Sequence, residues 1–425
     1  MKSSIFNVIK DDEDGMFIYN TFSSGILKLD NIYRDKFNEI VDNNFEEIEE
    51  SKDLFENLIK GNMIIEDNID EISAVKTMES INRFSTSSYS LTIAPTMKCN
   101  FRCPYCYEKS ETNETMNSKT VDKIKEFFND TKKNRNHLFI SWYGGEPLIA
   151  WDIIEELSIE AVELFGDKYR SDIVTNGYLL TEEKISRFKQ LHINHMQITI
   201  DGPPEVHNKL RRLPNGEDTF FVILNNIKMS LKINPDLNVV IRVNTDKENI
   251  ESVDKILDYF DEYDLKGKIQ IYLAPIENIN NSCQETNCFN ANEFAKHEMD
   301  YISRNLNRGY TFVNIPKYMG SVCAAISSNS LLINSNGDLY KCWDDVGISD
   351  LKVGDIFSGM QLNTNMTDWL TYDFLDSECS KCSFLPICMG GCPHKRMNQN
   401  IKRCTSLKYR VDETIDLLYE LKSKV

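Results

Sequence analysis

Positive charge is scarce in this chain. Against 66 aspartates and glutamates stand only 48 lysines and arginines, a net charge of −18 over 425 residues. Nucleic-acid binders present a basic face, so this balance argues against a nucleic-acid partner. Long apolar runs are also missing, and none approaches the roughly 18–20 residues that span a bilayer. The opening stretch MKSSIFNVIKDDEDG lacks the apolar core of a secretory signal and soon turns acidic. A cytoplasmic location without membrane contact is therefore expected. There is no internal repeat, low-complexity tract or long linker. What is present suffices for packed cores: 41% hydrophobic and 27% charged residues exclude wholesale disorder. At roughly 100–200 residues per domain, the length allows two to four domains.

The acid is uneven. Residues 1–90 hold nine basic and nineteen acidic side chains, a net of −10. Such a face serves solubility, and it also suits attraction of a basic peptide segment. Within 1–89, SIFNVIK, GMFIYNT and GILKLD read as short strands, and NMIIED as a further short strand. NIYRDKFNEIV and SKDLFENLIK carry apolar residues at helical spacing, and NIDEISAVKTMESINRF reads as a connecting helix. The expectation is a small α+β module of winged-helix size.

From residue 90 the texture changes. SLTIAPT, HLFISWYGG, SDIVTNG, HMQITIDG, NVVIRVNT and KIQIYLAP alternate with amphipathic helical stretches. Six strand–helix units in succession imply parallel strands, two short of a closed eightfold barrel. An α/β fold with a partial, TIM-like (β/α)6 barrel is expected over 90–315, with its site at the C-terminal strand ends. A cysteine-rich domain is expected over 316–425, ending in the helix DETIDLLYELKSK.

Twelve cysteines without a secretory signal point to metal rather than to a disulfide framework. Cys99, Cys103 and Cys106 follow the first barrel strand as C-x3-C-x2-C, with Tyr105 before the third thiol. Three thiolates can each hold one iron of a 4Fe–4S cluster and leave the fourth iron open to a chelating small molecule. A zinc knuckle with a distant fourth ligand is the competing reading. The stretch resembles the signature of the radical S-adenosylmethionine (SAM) superfamily. The resemblance implies that the open iron takes the amino and carboxylate groups of SAM, whose reductive cleavage gives methionine and a 5′-deoxyadenosyl radical. It further implies SAM contacts from Gly144, Gly145, Glu146 and Pro147 in YGGEPL, from Asn176 in TNG, from Thr199 in ITIDG and from Asn244. In DGPPEVHNKLRR it points to Arg211, or its neighbour Arg212, as partner of the SAM carboxylate. YGGEPL on its own also fits a plain strand-to-helix turn.

The last cysteines run Cys323-x13-Gly337-x4-Cys342, then Cys379-x2-Cys382-x5-Cys388-x3-Cys392, then Cys404. This pattern resembles the SPASM domain, which implies two auxiliary 4Fe–4S clusters and so three in all. Cys379, Cys382, Cys388 and Cys404 would hold the outer one, and Cys323, Cys342 and Cys392 the inner one. The inner set is one protein ligand short. Cys283 or Cys288 could supply it, or a substrate thiolate could. Anaerobic sulfatase maturases carry an aspartate directly after the second SPASM cysteine; here Trp343 stands there and Asp344 follows.

The N-terminal module resembles the leader-binding element of maturases that modify ribosomally made precursor peptides. The expected activity is thioether formation between a cysteine sulfur and a carbon of such a peptide. Its partners would be a cysteine-containing precursor with a leader, and a flavodoxin or ferredoxin as electron donor. Formylglycine formation, carbon–carbon crosslinking and epimerisation remain open.

Overall fold

Short alternating segments at the N-terminus pair as their pattern suggests. The strands are β1 (Lys2–Ser3), β2 (Asn7–Asp12), β3 (Gly15–Asn20), β4 (Ile26–Leu29) and β5 (Ile64–Ile65), and the helices are α1 (Asn31–Asp42), α2 (Lys52–Lys60) and α3 (Glu71–Arg83). β2, β3 and β4 form an antiparallel sheet in that order, and β1 pairs with β5. Asp30 caps α1 by accepting the Tyr33 N–H, and Asp70 caps α3 through Ser73. Met16, Ile18 and Leu29 from the sheet meet Phe37 and Ile40 of α1 and Leu54, Phe55 and Leu58 of α2 in one core. Each such side chain contributes about 1.5–3 kcal/mol on burial.

The six expected barrel strands all form: β6 (Ser88–Ile93), β7 (His137–Trp142), β8 (Tyr169–Thr175), β9 (Ile193–Thr199), β10 (Asn238–Thr245) and β11 (Ile269–Pro275). They are parallel and adjacent in sequence order. Between and after them lie α4 (Ser118–Asn134), α5 (Trp151–Phe165), α6 (Glu182–Phe188), α7 (Pro204–Leu210), α8 (Phe220–Ile233), α9 (Ile256–Glu262) and α10 (Ala291–Asn305). Strand side chains alternate between faces. One face carries Leu91, Ile140, Ile173, Ile198 and Ile241, all buried. It meets the helices, since Tyr89 of β6 packs edge-on against Phe127 of α4 and Tyr169 of β8 donates to Ser158 of α5. The other face is polar, with Ser141, Asp172, Gln197, Thr199, Arg242, Asn244 and Tyr272 in register across the sheet. A polar inner face does not make a packed core; it suits a ligand.

The fold departs from the sequence reading after the barrel. β12 (Ser330–Ile333) pairs in parallel with β6, Ser330 beside Ser90 and Ile333 beside Ile93. β13 (Asp338–Tyr340), β14 (Gly354–Asp355) and β15 (Gly359–Met360) continue outward, giving a ten-stranded sheet, and α11 (Thr364–Thr371) follows. Residues 324–371 thus extend the barrel sheet by main-chain hydrogen bonds instead of starting a separate domain. The last helices are α12 (Leu385–Cys388), α13 (Pro393–Gln399) and α14 (Val411–Ser423). The chain divides into two units: residues 1–84, 313–323 and 372–425, and residues 85–312 and 324–371. This computed structural model describes all residues except 14, 107, 109–113, 280–286, 311–316, 321–322 and 424–425, and the side chains of 418–423. Among the described residues no helix is long and apolar enough to cross a membrane.

Candidate active site

The loop leaving β6 is held against the β7 terminus by close backbone approach. Gly145 N–H donates to Thr96 O at 3.2 Å and Glu146 N–H to Lys98 O at 2.9 Å. A Cβ on Gly145 would stand 2.5 Å from Lys98 O, and Gly144 sits at φ +115° with Thr96 O 2.4 Å from where its Cβ would be. Only glycine fits both positions. The close approach of this pair is therefore made to the cysteine loop itself.

Cys99, Cys103 and Cys106 follow within that loop. Phe101 N–H donates to Cys99 Sγ at 3.4 Å, and the Arg102 guanidinium folds back on the carbonyls of Cys99 and Phe101. Burial pushes the Cys99 thiol up to about 12 and raises that of Cys103, so a nearby cation is what would hold these sulfurs as thiolates.

Glu146 is 1% exposed and fully engaged. Its Oε1 accepts from Thr175 Oγ1 (2.7 Å) and Leu148 N–H (3.1 Å), and its Oε2 from Asn176 N–H (2.8 Å). The carboxylate ties the ends of β7 and β8 together beneath the loop. Pro147, also buried, opens the turn that follows. Asn176 donates to Asn100 Oδ1 at 2.8 Å, which links the end of β8 to the cysteine loop.

Tyr105, Asp201 and Arg211 form a buried group. The Tyr105 hydroxyl donates to Asp201 Oδ2 and accepts from Arg211 Nη1 at 2.8 Å, and the guanidinium lies 4.0 Å from Asp201. Burial raises the Asp201 carboxyl, and the Arg211 charge opposes that shift. Asn244 Nδ2 approaches the same hydroxyl at 3.4 Å, with its Oδ1 held by Arg242 Nε at 2.8 Å. Thr199 ends β9 on the polar face, in register with Arg242. His207 accepts the Asp201 N–H on Nδ1 at 3.3 Å. Asp201, His207 and Asn100 were not singled out from sequence, although DG and VH stood inside a quoted motif. Arg212 contributes its carbonyl to Arg102 N–H at 3.0 Å, whereas Arg211 is the arginine directed into the group.

The geometry fits an amino-acid ligand. Among the described residues, Asn100 Nδ2, Arg211 Nε and Asp201 Oδ1 are buried without a hydrogen-bond partner. With His207 Nε2, which is likewise unpaired, they offer the spare donors and the spare acceptor that a carboxylate and an ammonium group require.

Of the later cysteines, Cys379, Cys382, Cys388 and Cys404 line one cavity in the first unit, together with Phe384, Leu385 and Lys402. That convergence of four sulfurs fits a cluster ligand set. Cys323 and Cys392 belong to the same unit and Cys342 to the second. Cys288 is half-buried, and Cys283 lies outside the described residues. Trp343 packs edge-on against Tyr143 with ring centroids 3.8 Å apart and adjoins the core of Ala94, Met97, Leu332 and Tyr340. It is a packing residue where a sulfatase maturase carries its aspartate.

These observations fit the site of a radical SAM enzyme. Residues 93–260 match the radical SAM superfamily, so this chain carries a radical SAM domain. It is 26% identical to a cysteine-type anaerobic sulfatase-maturating enzyme of Clostridium novyi (strain NT), over 78% of this chain and 96% of that protein. It is 25% identical to the radical SAM cyclopropyl synthase TigE of Paramaledivibacter caminithermalis, over 92% of this chain and 89% of that one. The fold resembles native anSMEcpe with bound AdoMet (TM-score 0.62, 19% identity, 78% of this chain and 99% of that one). It also resembles Streptococcus suis SuiB bound to its precursor peptide SuiA (TM-score 0.54, 17% identity, 92% and 95%).

Proposed function

We propose that this chain is a radical SAM maturase of a ribosomally made, cysteine-containing precursor peptide, and that it forms a carbon–sulfur thioether. The reading is carried by the likeness to SuiB bound to its precursor peptide SuiA, which extends over 92% of this chain, against 78% for anSMEcpe. The added length is what a leader-binding module requires. Among the described residues, β2 and β4 of the N-terminal sheet each pair on one side only, so both leave an edge along which a leader can add a strand. The net −10 of residues 1–90 favours encounter with a basic leader.

In this reading Cys99, Cys103 and Cys106 hold one 4Fe–4S cluster. When bound, the cluster and SAM supply the electron that splits the sulfonium and the 5′-deoxyadenosyl radical that takes hydrogen from an unactivated carbon. Arg211 receives the SAM carboxylate, Asp201 and the backbone at Gly144–Glu146 face its ammonium group, and Asn244 and Thr199 reach toward the ribose. Glu146 and Asn176 fix the loop on which the thiolates stand. Cys379, Cys382, Cys388 and Cys404 hold an outer auxiliary cluster, and the resemblance to SPASM domains assigns Cys323, Cys342 and Cys392 to an inner one. Joining a carbon radical to a thiol sulfur would form the carbon–sulfur bond, break the S–H bond and release one proton and one electron, for which these sets would provide an acceptor.

A carbon–carbon bond is the second reading, favoured by the similarity to a cyclopropyl synthase. Reacting the enzyme with a candidate cysteine-containing precursor peptide separates them. A thioether removes two hydrogens and blocks one thiol from iodoacetamide. A product that loses two hydrogens but keeps every thiol alkylatable selects the carbon–carbon bond, and a formylglycine product overturns the peptide-maturase reading.

A further inference from the structure

Arg396 leaves α13 with its guanidinium turned onto Cys379. Nη1 lies 4.0 Å from Cys379 Sγ and donates to the carbonyls of Phe374 at 2.9 Å and Gly390 at 3.1 Å. Nη2 pairs with Asp376. Asp376 in turn accepts the backbone N–H groups of Cys379 at 2.7 Å and Glu378 at 2.9 Å. The two carbonyls take the hydrogens of Nη1, so the sulfur feels the group chiefly as a fixed positive charge. That charge cannot swing to solvent, because the side chain is only 15% exposed and is tied at both terminal nitrogens. Lys402, a second cation lining the same cavity, pairs with Asp376 and Glu378 at 3.2 and 2.6 Å and adds to the positive field at Cys379, whereas Arg396 is the cation that reaches its sulfur.

Gly390 makes the room. It sits at φ +80°, and a Cβ there would stand 2.7 Å from Arg396 Nη1 and 2.5 Å from Phe374 O. The first glycine of CMGGC is thus required by its positive φ and by the close approach of the Phe374 carbonyl, to which Arg396 also donates.

Resting on the outer-cluster reading above, we propose that Arg396 is a positioning residue that fixes a positive charge beside the Cys379 thiolate and so raises the reduction potential of the cluster held by Cys379, Cys382, Cys388 and Cys404. Each electron added to a thiolate-bound cluster makes it more negative. A buried cation and hydrogen bonds near a ligand sulfur therefore stabilise the reduced form. The arginine touches the ligand and acts through it.

The test uses the full chain with reconstituted clusters, in a Cys99→Ala, Cys103→Ala, Cys106→Ala background that removes the SAM-cluster signal. The electron paramagnetic resonance signal lost on Cys379→Ala identifies the outer cluster. Arg396→Met is expected to keep its iron and lower that midpoint by about 60 mV, a tenfold change in the one-electron equilibrium. Arg396→Lys keeps the charge and is expected to stay near the parent value. An unchanged midpoint in Arg396→Met overturns the proposal, as does an equal fall in both variants. Loss of about four irons from both variants also overturns it, making Arg396 a part of the pocket's folding. If Cys379→Ala removes neither iron nor signal, the outer-cluster reading itself fails, which is a different result.

Discussion

Tyr105 stands between two of the three loop thiols, yet its hydroxyl is committed to Asp201 and Arg211. The cysteine loop is thereby clamped to the segment after β9 by one phenol. Tyr105→Phe removes hydrogen bonds to two charged groups, each worth about 1.5–3 kcal/mol, while leaving the ring in place. SAM binding in the variant is expected to weaken roughly tenfold, and equilibrium dialysis against labelled SAM measures it. Arg211→Gln is expected to be harsher, because it strands a buried carboxylate at Asp201. Stability should fall by about 3–5 kcal/mol in urea unfolding, and the combined Arg211→Gln, Asp201→Asn variant should recover part of that loss. Cys103→Ala should abolish SAM cleavage with the rest of the fold intact, read as absence of 5′-deoxyadenosine.

The β6 loop and the β7 terminus act as one piece, joined where two glycines let backbones touch. Gly145→Ala places a methyl 2.5 Å from Lys98 O, and no flexible side chain is there to yield. The loop must shift, and the expected result is loss of about four irons per chain on reconstitution, checked by iron assay. A variant with full iron would show that the loop tolerates displacement. The six parallel strands were legible because each carries a local alternation such as Leu138, Ile140 and Trp142 against Phe139 and Ser141. The joining of β12 to β6 was not legible. That pairing links Ser330 to Ser90 across the whole barrel, and nothing in the four residues SLLI names a partner so distant in sequence. The thiols and glycines of the site could be read because their spacing is fixed by the loop. Asp201 and Asn100 were passed over because their roles depend on which side chains the strands bring together.

Two features belong to the chain as a whole. More than half of its net charge lies in residues 1–90, and a basic leader should therefore bind less tightly as salt rises, since screening shortens the reach of exposed charges to about 8 Å at physiological ionic strength. A titration of labelled precursor in low and high salt measures this, and an affinity indifferent to salt would leave main-chain pairing as the sole attraction. The three proposed clusters would load the chain with about twelve irons. In the proposed function both features serve one chemical act, the one-electron splitting of SAM at the Cys99, Cys103 and Cys106 loop. The most direct measurement is anaerobic incubation of the iron-loaded protein with dithionite and SAM, followed by chromatography. Methionine and 5′-deoxyadenosine in equal amounts are predicted. Intact SAM, with the clusters present and reduced, would contradict the account.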